Sequence, residues 1–130
     1  MAKIFILEDD SRRIGYFQAR FGPDHILHIA KNVEEGKVIA ETHGPFDIMF
    51  LDHDLAPEHY DPSIKSGDDI YAPTGYDFVK WLVSNKQVLS QFPRIIVHSL
   101  NPHGAANMVM EINMADLGCF AERIPFTSFK

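Results

Sequence analysis

The sequence predicts an α/β fold, a doubly wound parallel sheet of five strands with helices on both faces. Three observations predict it. Short apolar runs alternate with amphipathic stretches in the order β-α-β-α-β-α-β-α-β, and such alternation gives parallel strands joined by crossover helices. The runs are continuously apolar, as strands covered on both faces are. Breaker residues, among them Gly22-Pro23-Asp24, Gly44-Pro45 and Asn101-Pro102, separate consecutive elements.

The elements follow in order. Lys3–Leu7 is rich in branched and aromatic residues and reads as a buried strand. Asp9, Asp10 and Ser11 supply turn and N-cap residues. A helix over about 12–21 then sets Ile14, Phe17 and Phe21 on one face. His25–Ala30 is a second strand. Asn32 caps a helix running to about Thr42, and Glu35 three residues on approximates a capping box. Phe46–Leu51 is the most apolar strand and ends abruptly in Asp52-His53-Asp54. Leu55–Thr74 is irregular, with Pro57, Pro62, Gly67 and Pro73, and a loop this long in a compact domain is functional or mobile. A helix over about 75–85 has Phe78, Val79, Leu82 and Val83 as its apolar positions. Arg94–Val97 is the fourth strand. Pro102 opens a helix that carries Met108, Val109, Ile112 and Met114 and ends at Gly118. Cys119–Arg123 is the last strand.

Composition bounds the class. The chain has 130 residues, 45% of them hydrophobic and 23% charged, which fits one globular domain over 1–130. The single cysteine, Cys119, cannot bridge within the chain, so a reducing compartment is expected. No apolar run approaches the roughly 20 residues of a membrane span. The start, Met1-Ala2-Lys3-Ile4-Phe5-Ile6-Leu7-Glu8, turns acidic too early for a secretory signal. Together these predict a cytoplasmic protein with no membrane partner. A formal charge of −6 argues against duplex DNA, which needs a cationic footprint.

In parallel α/β sheets the ligand sits outside the carboxyl ends of the strands. Polar clusters fall at three of those ends: Glu8-Asp9-Asp10, Asp52-His53-Asp54 and His98-Ser99-Leu100-Asn101. Gathered carboxylates repel one another unless a hard cation neutralises them. Glu8, Asp9 and Asp52 form an oxygen set suited to Mg²⁺ or Mn²⁺. A Mg²⁺ so held recruits phosphate oxygens, which points to a phosphoryl substrate. The competing role for Asp9, Asp10, Asp52 and Asp54 is as helix caps and turn residues. Three clusters at three strand ends weigh against that role for all of them.

Glu8-Asp9 after strand one, Asp52 after strand three, Ser99 after strand four and Pro125-Phe126 after strand five resemble a response-regulator receiver domain over nearly the whole chain. The resemblance implies a flavodoxin-like, receiver-like sheet of order 2-1-3-4-5. It implies that Glu8, Asp9 and Asp52 bind metal, with the backbone carbonyl of Asp54. It also implies that Asp52 accepts a phosphoryl group and that the Ser99 hydroxyl contacts it. The sequence departs from that pattern in three ways. Ile124 stands where receivers carry a lysine before Pro-Phe, and Arg123, one residue earlier, belongs to the opposite strand face. Four residues follow Phe126, so the last helix is missing. His53 and His98 flank the phosphoryl positions. Leu51-Asp52-His53-Asp54-Leu55 with His98-Ser99-Leu100-Asn101-Pro102 resembles the divergent cyclic-phosphate-processing receiver domains, which implies action on cyclic phosphate ends in RNA repair or nucleotide signalling.

Histidine suits acid–base work, since an unperturbed imidazole titrates near about pH 6.5. His53 and His98 lie at the ends of strands that are neighbours in the receiver order. Either one activates water while the other protonates the leaving alkoxide, or one ligates a borderline metal such as Mn²⁺ or Zn²⁺ beside Asp52. His98 and Ser99 face the same site only if the strand has already ended. Asn101 caps the helix opening at Pro102, a helix N-terminus that is also an anion site, and His103 in its first turn is a further substrate contact. The Leu55–Thr74 loop is a lid or partner surface, with Lys65 a phosphate contact and Tyr60 and Tyr71 base-stacking candidates. Phe17, Phe21, Phe46, Phe50, Trp81 and Phe92 read as core.

The expected function is a metal-dependent phosphoesterase acting on a cyclic phosphate, either an RNA 2′,3′-cyclic end or a cyclic nucleotide signal. Asp52, His53, His98 and Ser99 are the expected catalytic residues, and Asn101 and His103 the substrate contacts. Glu8, Asp9, Asp52 and Asp54 are the expected metal ligands, for Mg²⁺ or Mn²⁺ with Zn²⁺ as an alternative. Two other functions compete: a phospho-accepting signalling receiver, and a module that sequesters a nucleotide without turnover. The sequence leaves the oligomeric state open.

Overall fold

The computed structural model describes residues 1–55, 73–115 and 117–129. The elements are β1 (Lys3–Leu7), α1 (Ser11–Phe21), β2 (Ile26–Ala30), α2 (Val33–His43), β3 (Phe46–Leu51), α3 (Gly75–Ser84), β4 (Leu89–Val97), α4 (Pro102–Met114) and β5 (Ala121–Arg123). One 3₁₀ turn, Lys86–Val88, precedes β4, and another, Phe126–Phe129, follows β5. The sheet order is β2-β1-β3-β4-β5 and every neighbouring pair is parallel. The expected order 2-1-3-4-5 is the observed one.

The strands alternate sides, and each side has its own core. Phe5, Leu7, Met49, Leu51, Ile95 and Val97 meet α2, α3 and α4, with Phe78, Leu82, Met108 and Ile112 buried against them. Ile4, Ile6, Phe50 and Ile96 face the other way, where Phe17 of α1 and Phe126 cover them. Phe126 lies 5.9 Å from the Phe17 ring and 5.2 Å from the Tyr16 ring. Among the described residues no α-helix follows β5, and the Phe126 turn helps cover the face that α1 leaves open. The expected core aromatics Phe17, Phe46 and Phe50 are buried, and Phe21 and Trp81 are partly so.

The caps follow the sequence. Asp10 accepts from the amides of Arg12 and Arg13. Asn32 accepts from Glu35 N, while the Glu35 carboxylate takes the Lys31 amide, one residue short of a full capping box. Thr74 and Asp77 do close one on α3.

Two boundaries differ from the expectation by four residues or more, and β5 begins at Ala121 rather than Cys119. β4 begins at Leu89 rather than Arg94. Phe46 pairs with Leu89 and Ile48 with Arg94, so the register slips across the stretch containing Pro93, whose missing N–H hides the strand from pattern reading. α4 stops at Met114 rather than Gly118. The Asn113 side chain there accepts from Ala121 N at 2.7 Å, tying the helix end to β5, and Gly118 turns the connection at φ 80°. No helix among the described residues is long and apolar enough to cross a membrane. Tyr60, Lys65, Tyr71 and most of the Leu55–Thr74 loop lie outside the described residues, as does the side chain of Phe92.

Candidate active site

The register builds the site. Leu7 pairs with Leu51, and Leu51 with Val97, and all three side chains face α2–α4. The next residues are Glu8, Asp52 and His98, and alternation turns them to the α1 side. The ladder continues one step to hold them: Glu8 N donates to Ala30 O at 2.9 Å, Asp52 N to Leu7 O at 3.1 Å and His98 N to Leu51 O at 3.0 Å. Three polar residues thus stand in a row on adjacent strands. Each is nearly sealed, with Glu8 0%, Asp52 4% and His98 1% exposed. One ligand atom from each lies within 4.8 Å of the others.

Glu8 is the hydrogen-bond hub. Its Oε2 accepts from the amides of Asp9 (3.0 Å) and Asp10 (3.1 Å) and from Arg13 Nη2 (3.3 Å). Its Oε1 accepts from Arg13 Nε (2.8 Å) and from His98 Nε2 (2.9 Å). Burial alone would raise the Glu8 pKa, but the hydrogen bonds from His98 and Arg13 outweigh it and bring the carboxyl down to about 2. An ionised carboxylate only accepts, so His98 Nε2 carries the proton. Burial would also lower the Arg13 pKa, yet the bond to Glu8 and the Glu8 charge raise it.

Asp52 is the opposite case. Burial, then the Glu8 charge, push its carboxyl up to about 7, against the pull of Arg13. Oδ1 accepts from His53 N at 2.9 Å. Oδ2 is buried and no hydrogen bond reaches it among the described residues; its nearest cation is Arg13 Nη2 at 3.8 Å. A buried carboxylate oxygen with no donor is what a bound cation would satisfy, and a carboxylate pair with an imidazole is a fitting donor set for a divalent metal. The row of Glu8, Asp52 and His98 can therefore hold a metal ion.

A second group lies nearer the surface. His53 Nδ1 meets Asp54 Oδ1 at 2.8 Å, with the His53 side chain 17% exposed and the Asp54 side chain 67%. Asn101 caps α4, accepting from Gly104 N at 3.0 Å, and its Nδ2 donates to the same Asp54 oxygen at 3.3 Å. Nδ2 also comes within 3.5 Å of His53 Nδ1. With Nδ1–H already given to the carboxylate, that approach sets two donors together, so the bond to Asp54 is the one that counts. Ser99 is buried, and its Oγ accepts from Asn101 N at 3.1 Å. β4 ends at Val97, so His98 and Ser99 both lie beyond the strand, and both are buried.

The remaining expected residues stand apart. Asp9 is partly buried and adds its amide to Glu8, but it is not among the side chains grouped with Asp52. His103 is exposed in the first turn of α4. The Arg123 guanidinium is engaged with the Ser99 carbonyl, at 3.3 Å from Nε and 3.2 Å from Nη2.

Sequence reasoning missed three contributors. Arg13, in the first turn of α1, reads as a solvated helix residue, yet it bridges Glu8 and Asp52. Gly75 opens α3 directly against the Asp52–His53 backbone: its N–H donates to His53 O at 2.8 Å, and a Cβ there would run into the Asp52 carbonyl oxygen. Gly104 lies under the His53 ring, where a Cβ would collide with the imidazole. The only signal was a glycine in the first turn of each helix.

Residues 4–114 match the family model described as the cyclic-phosphate processing receiver domain. No curated protein matches. Similar folds include the signal receiver domain of a LuxO repressor protein from Vibrio parahaemolyticus, at 12% identity and TM-score 0.61, covering 98% of this chain and 83% of that one. The Vibrio cholerae chemotaxis protein CheY4 is 18% identical with TM-score 0.60, covering 96% and 86%. The Thermotoga maritima response regulator TrrA, solved with Mg²⁺ and BeF, is 14% identical with TM-score 0.56, covering 96% and 86%. At these identities the likeness concerns the fold.

Proposed function

The chain belongs to the family of cyclic-phosphate-processing receiver domains, and from that premise we propose that it is a metal-dependent phosphoesterase that opens a cyclic phosphate, an RNA 2′,3′-cyclic end or a cyclic nucleotide. The observation that carries the reading is the buried row of Glu8, Asp52 and His98, with one Asp52 oxygen lacking a hydrogen bond.

Asp52 is the principal residue that would hold Mg²⁺ or Mn²⁺, with Glu8 and His98 within reach; the family resemblance adds Asp9 and the Asp54 carbonyl. When bound there, the metal would supply charge neutralisation of the non-bridging phosphate oxygens. The protein's own acid–base group is His53. Asp54 takes its Nδ1–H, which fixes the ring so that Nε2 is the proton acceptor. Nε2 accepts a proton from the attacking water as the new P–O bond forms. The ring P–O bond breaks and the leaving alkoxide takes that proton back, so water is added across the bond. His98, sealed from solvent and with its Nε2–H given to Glu8, is a positioning residue rather than a proton donor to substrate. Asn101 holds Asp54, and His103 offers an imidazole from the first turn of α4.

The test is incubation of the protein and Mg²⁺ or Mn²⁺ with nucleoside 2′,3′-cyclic, 3′,5′-cyclic and cyclic oligonucleotide phosphates, read by chromatography with an EDTA control. Chelator-sensitive ring opening, lost in Asp52→Ala, is the expected result. Unchanged substrates across the panel overturn the hydrolase, and tight binding without product would identify a sequestering module.

A further inference from the structure

We infer that Arg13 is a built-in cation that couples metal binding to phosphate binding at this site. The inference rests on the metal-holding part of the proposed function.

The guanidinium is anchored rather than free. Its Nε and Nη2 each give a hydrogen bond to Glu8, which is itself wholly buried and pinned by the Asp9 and Asp10 amides. That fork fixes the group 3.8 Å from Asp52 Oδ2, too far for a hydrogen bond but close for a charge. A guanidinium has five N–H donors in one plane, more than the Glu8 fork uses. The Arg13 side chain is 27% exposed and its Cζ lies 6.0 Å from the Phe126 ring, so it forms part of the mouth of the site while Glu8 forms the floor. Arg123, the other nearby arginine, is bound to the neutral Ser99 carbonyl, and Ile124 carries no charge.

The charge count gives the consequence. Among the buried carboxylates and the guanidinium that binds them, Glu8 and Asp52 bring two negative charges and Arg13 one positive. A divalent metal then leaves these three groups with a formal charge of plus one, while Asp10 and Asp54 add negative charge nearer the solvent, where it is screened. Such a site binds its metal weakly alone and is completed by an anion. Phosphate satisfies both the metal and the remaining guanidinium N–H groups, the bidentate chemistry at which arginine excels. Without Arg13 the metal-loaded group is neutral, so the metal binds more tightly and the anion adds little. By linkage, the factor by which phosphate tightens metal equals the factor by which metal tightens phosphate.

Calorimetric titration of Mg²⁺, with and without millimolar inorganic phosphate, tests this. In the wild type phosphate is expected to tighten Mg²⁺ about tenfold or more. In Arg13→Gln, Mg²⁺ alone binds more tightly and the phosphate effect falls towards none. Arg13→Lys keeps the charge and retains part of the coupling. Equal coupling in wild type and Arg13→Gln overturns the inference. So does the absence of coupling in the wild type, which needs no variant and covers the case where Arg13→Gln fails to fold. Coupling without any ring opening leaves the inference standing and removes the hydrolase. Ring opening without Arg13-dependent coupling does the reverse, and absence of Mg²⁺ binding in the wild type overturns the inference and the metal-holding reading together.

Discussion

Asp52 sits between two regions built on different principles. Behind it, buried Glu8 and His98, placed by strand register, and Arg13, reaching in from α1, form a polar knot whose hydrogen bonds converge on one carboxylate. In front of it, His53, Asp54 and Asn101 form a more exposed chain seated on the first turn of α4. The two regions fail in different ways. The rear group is inseparable from the sheet, so its loss is a loss of fold. The front group touches the core at few points, so its loss is a loss of chemistry.

The sharpest break is Glu8→Gln. It keeps the shape but removes the charge that Arg13 and His98 share. Breaking a buried ion pair by removing one partner costs about 3–5 kcal/mol. Urea unfolding should therefore show a large drop in midpoint with little change in slope. A drop under about 1 kcal/mol would mean that the knot is no more than an exposed ion pair in effect.

The next test uses pH, because Glu8 and Asp52 shift in opposite directions. The Glu8 pKa is lowered from 4.5 to about 2, so its contribution is present above 4.5 and is lost as pH falls towards 2. The Asp52 pKa is raised from 3.8 to about 7. The folded state then holds a proton that the unfolded chain has released, and stability falls as pH rises from 3.8 to about 7. Each unit of that window is worth at most about 1.4 kcal/mol. From these two groups, metal-free protein is most stable near about pH 4–5. Mg²⁺ favours ionised Asp52, so its stabilising effect should be small there and largest at about pH 7 and above. Thermal melts across this range with Mg²⁺ or with EDTA check the sign.

Much of this was legible in the chain and some was not. Glu8, Asp52 and His98 stand out as polar residues that end apolar runs, and the strand order brings those ends together. That they share one face follows from the Leu7–Leu51–Val97 alignment, which the sequence does not number. Asn101 was readable as a cap because Pro102 follows it. Arg13 was not, since a charged residue in a first helical turn usually faces water; only its partner five residues back gives it a buried role. Gly75 and Gly104 were hidden for a similar reason. A close backbone approach leaves no trace in composition, and glycine at a helix start already has an ordinary explanation.

Gly75→Ala tests the seam between the two regions. A methyl group there runs into the Asp52 carbonyl oxygen, so α3 or the Asp52–His53 turn must shift. Overpacking of this kind costs about 1–3 kcal/mol. Urea unfolding measures that cost, and the Mg²⁺ affinity of the variant should fall with it, because the displaced backbone carries Asp52. Unchanged stability and affinity would mean that the turn yields freely.

The smallest effect on stability, and the largest separation between stability and activity, is expected for His53→Ala. The ring is partly exposed and its named polar partner, Asp54, is mostly in solvent. Removing it loses the ring's packing on Gly104 but leaves no buried charge unpaired, so it should cost about 1 kcal/mol, well below the Glu8 break. If His53 moves the proton between water and the leaving oxygen, turnover of a cyclic phosphate should drop by about 10²–10⁴ while Mg²⁺ binding is unchanged. Asp54→Asn keeps an acceptor but loses the charge that orients the ring, so it should show a milder loss and a displaced pH profile. A His53→Ala variant with full turnover would transfer the proton chemistry elsewhere and leave the front group a structural cap on α4. A variant that loses metal binding as well would show that the two regions act as one.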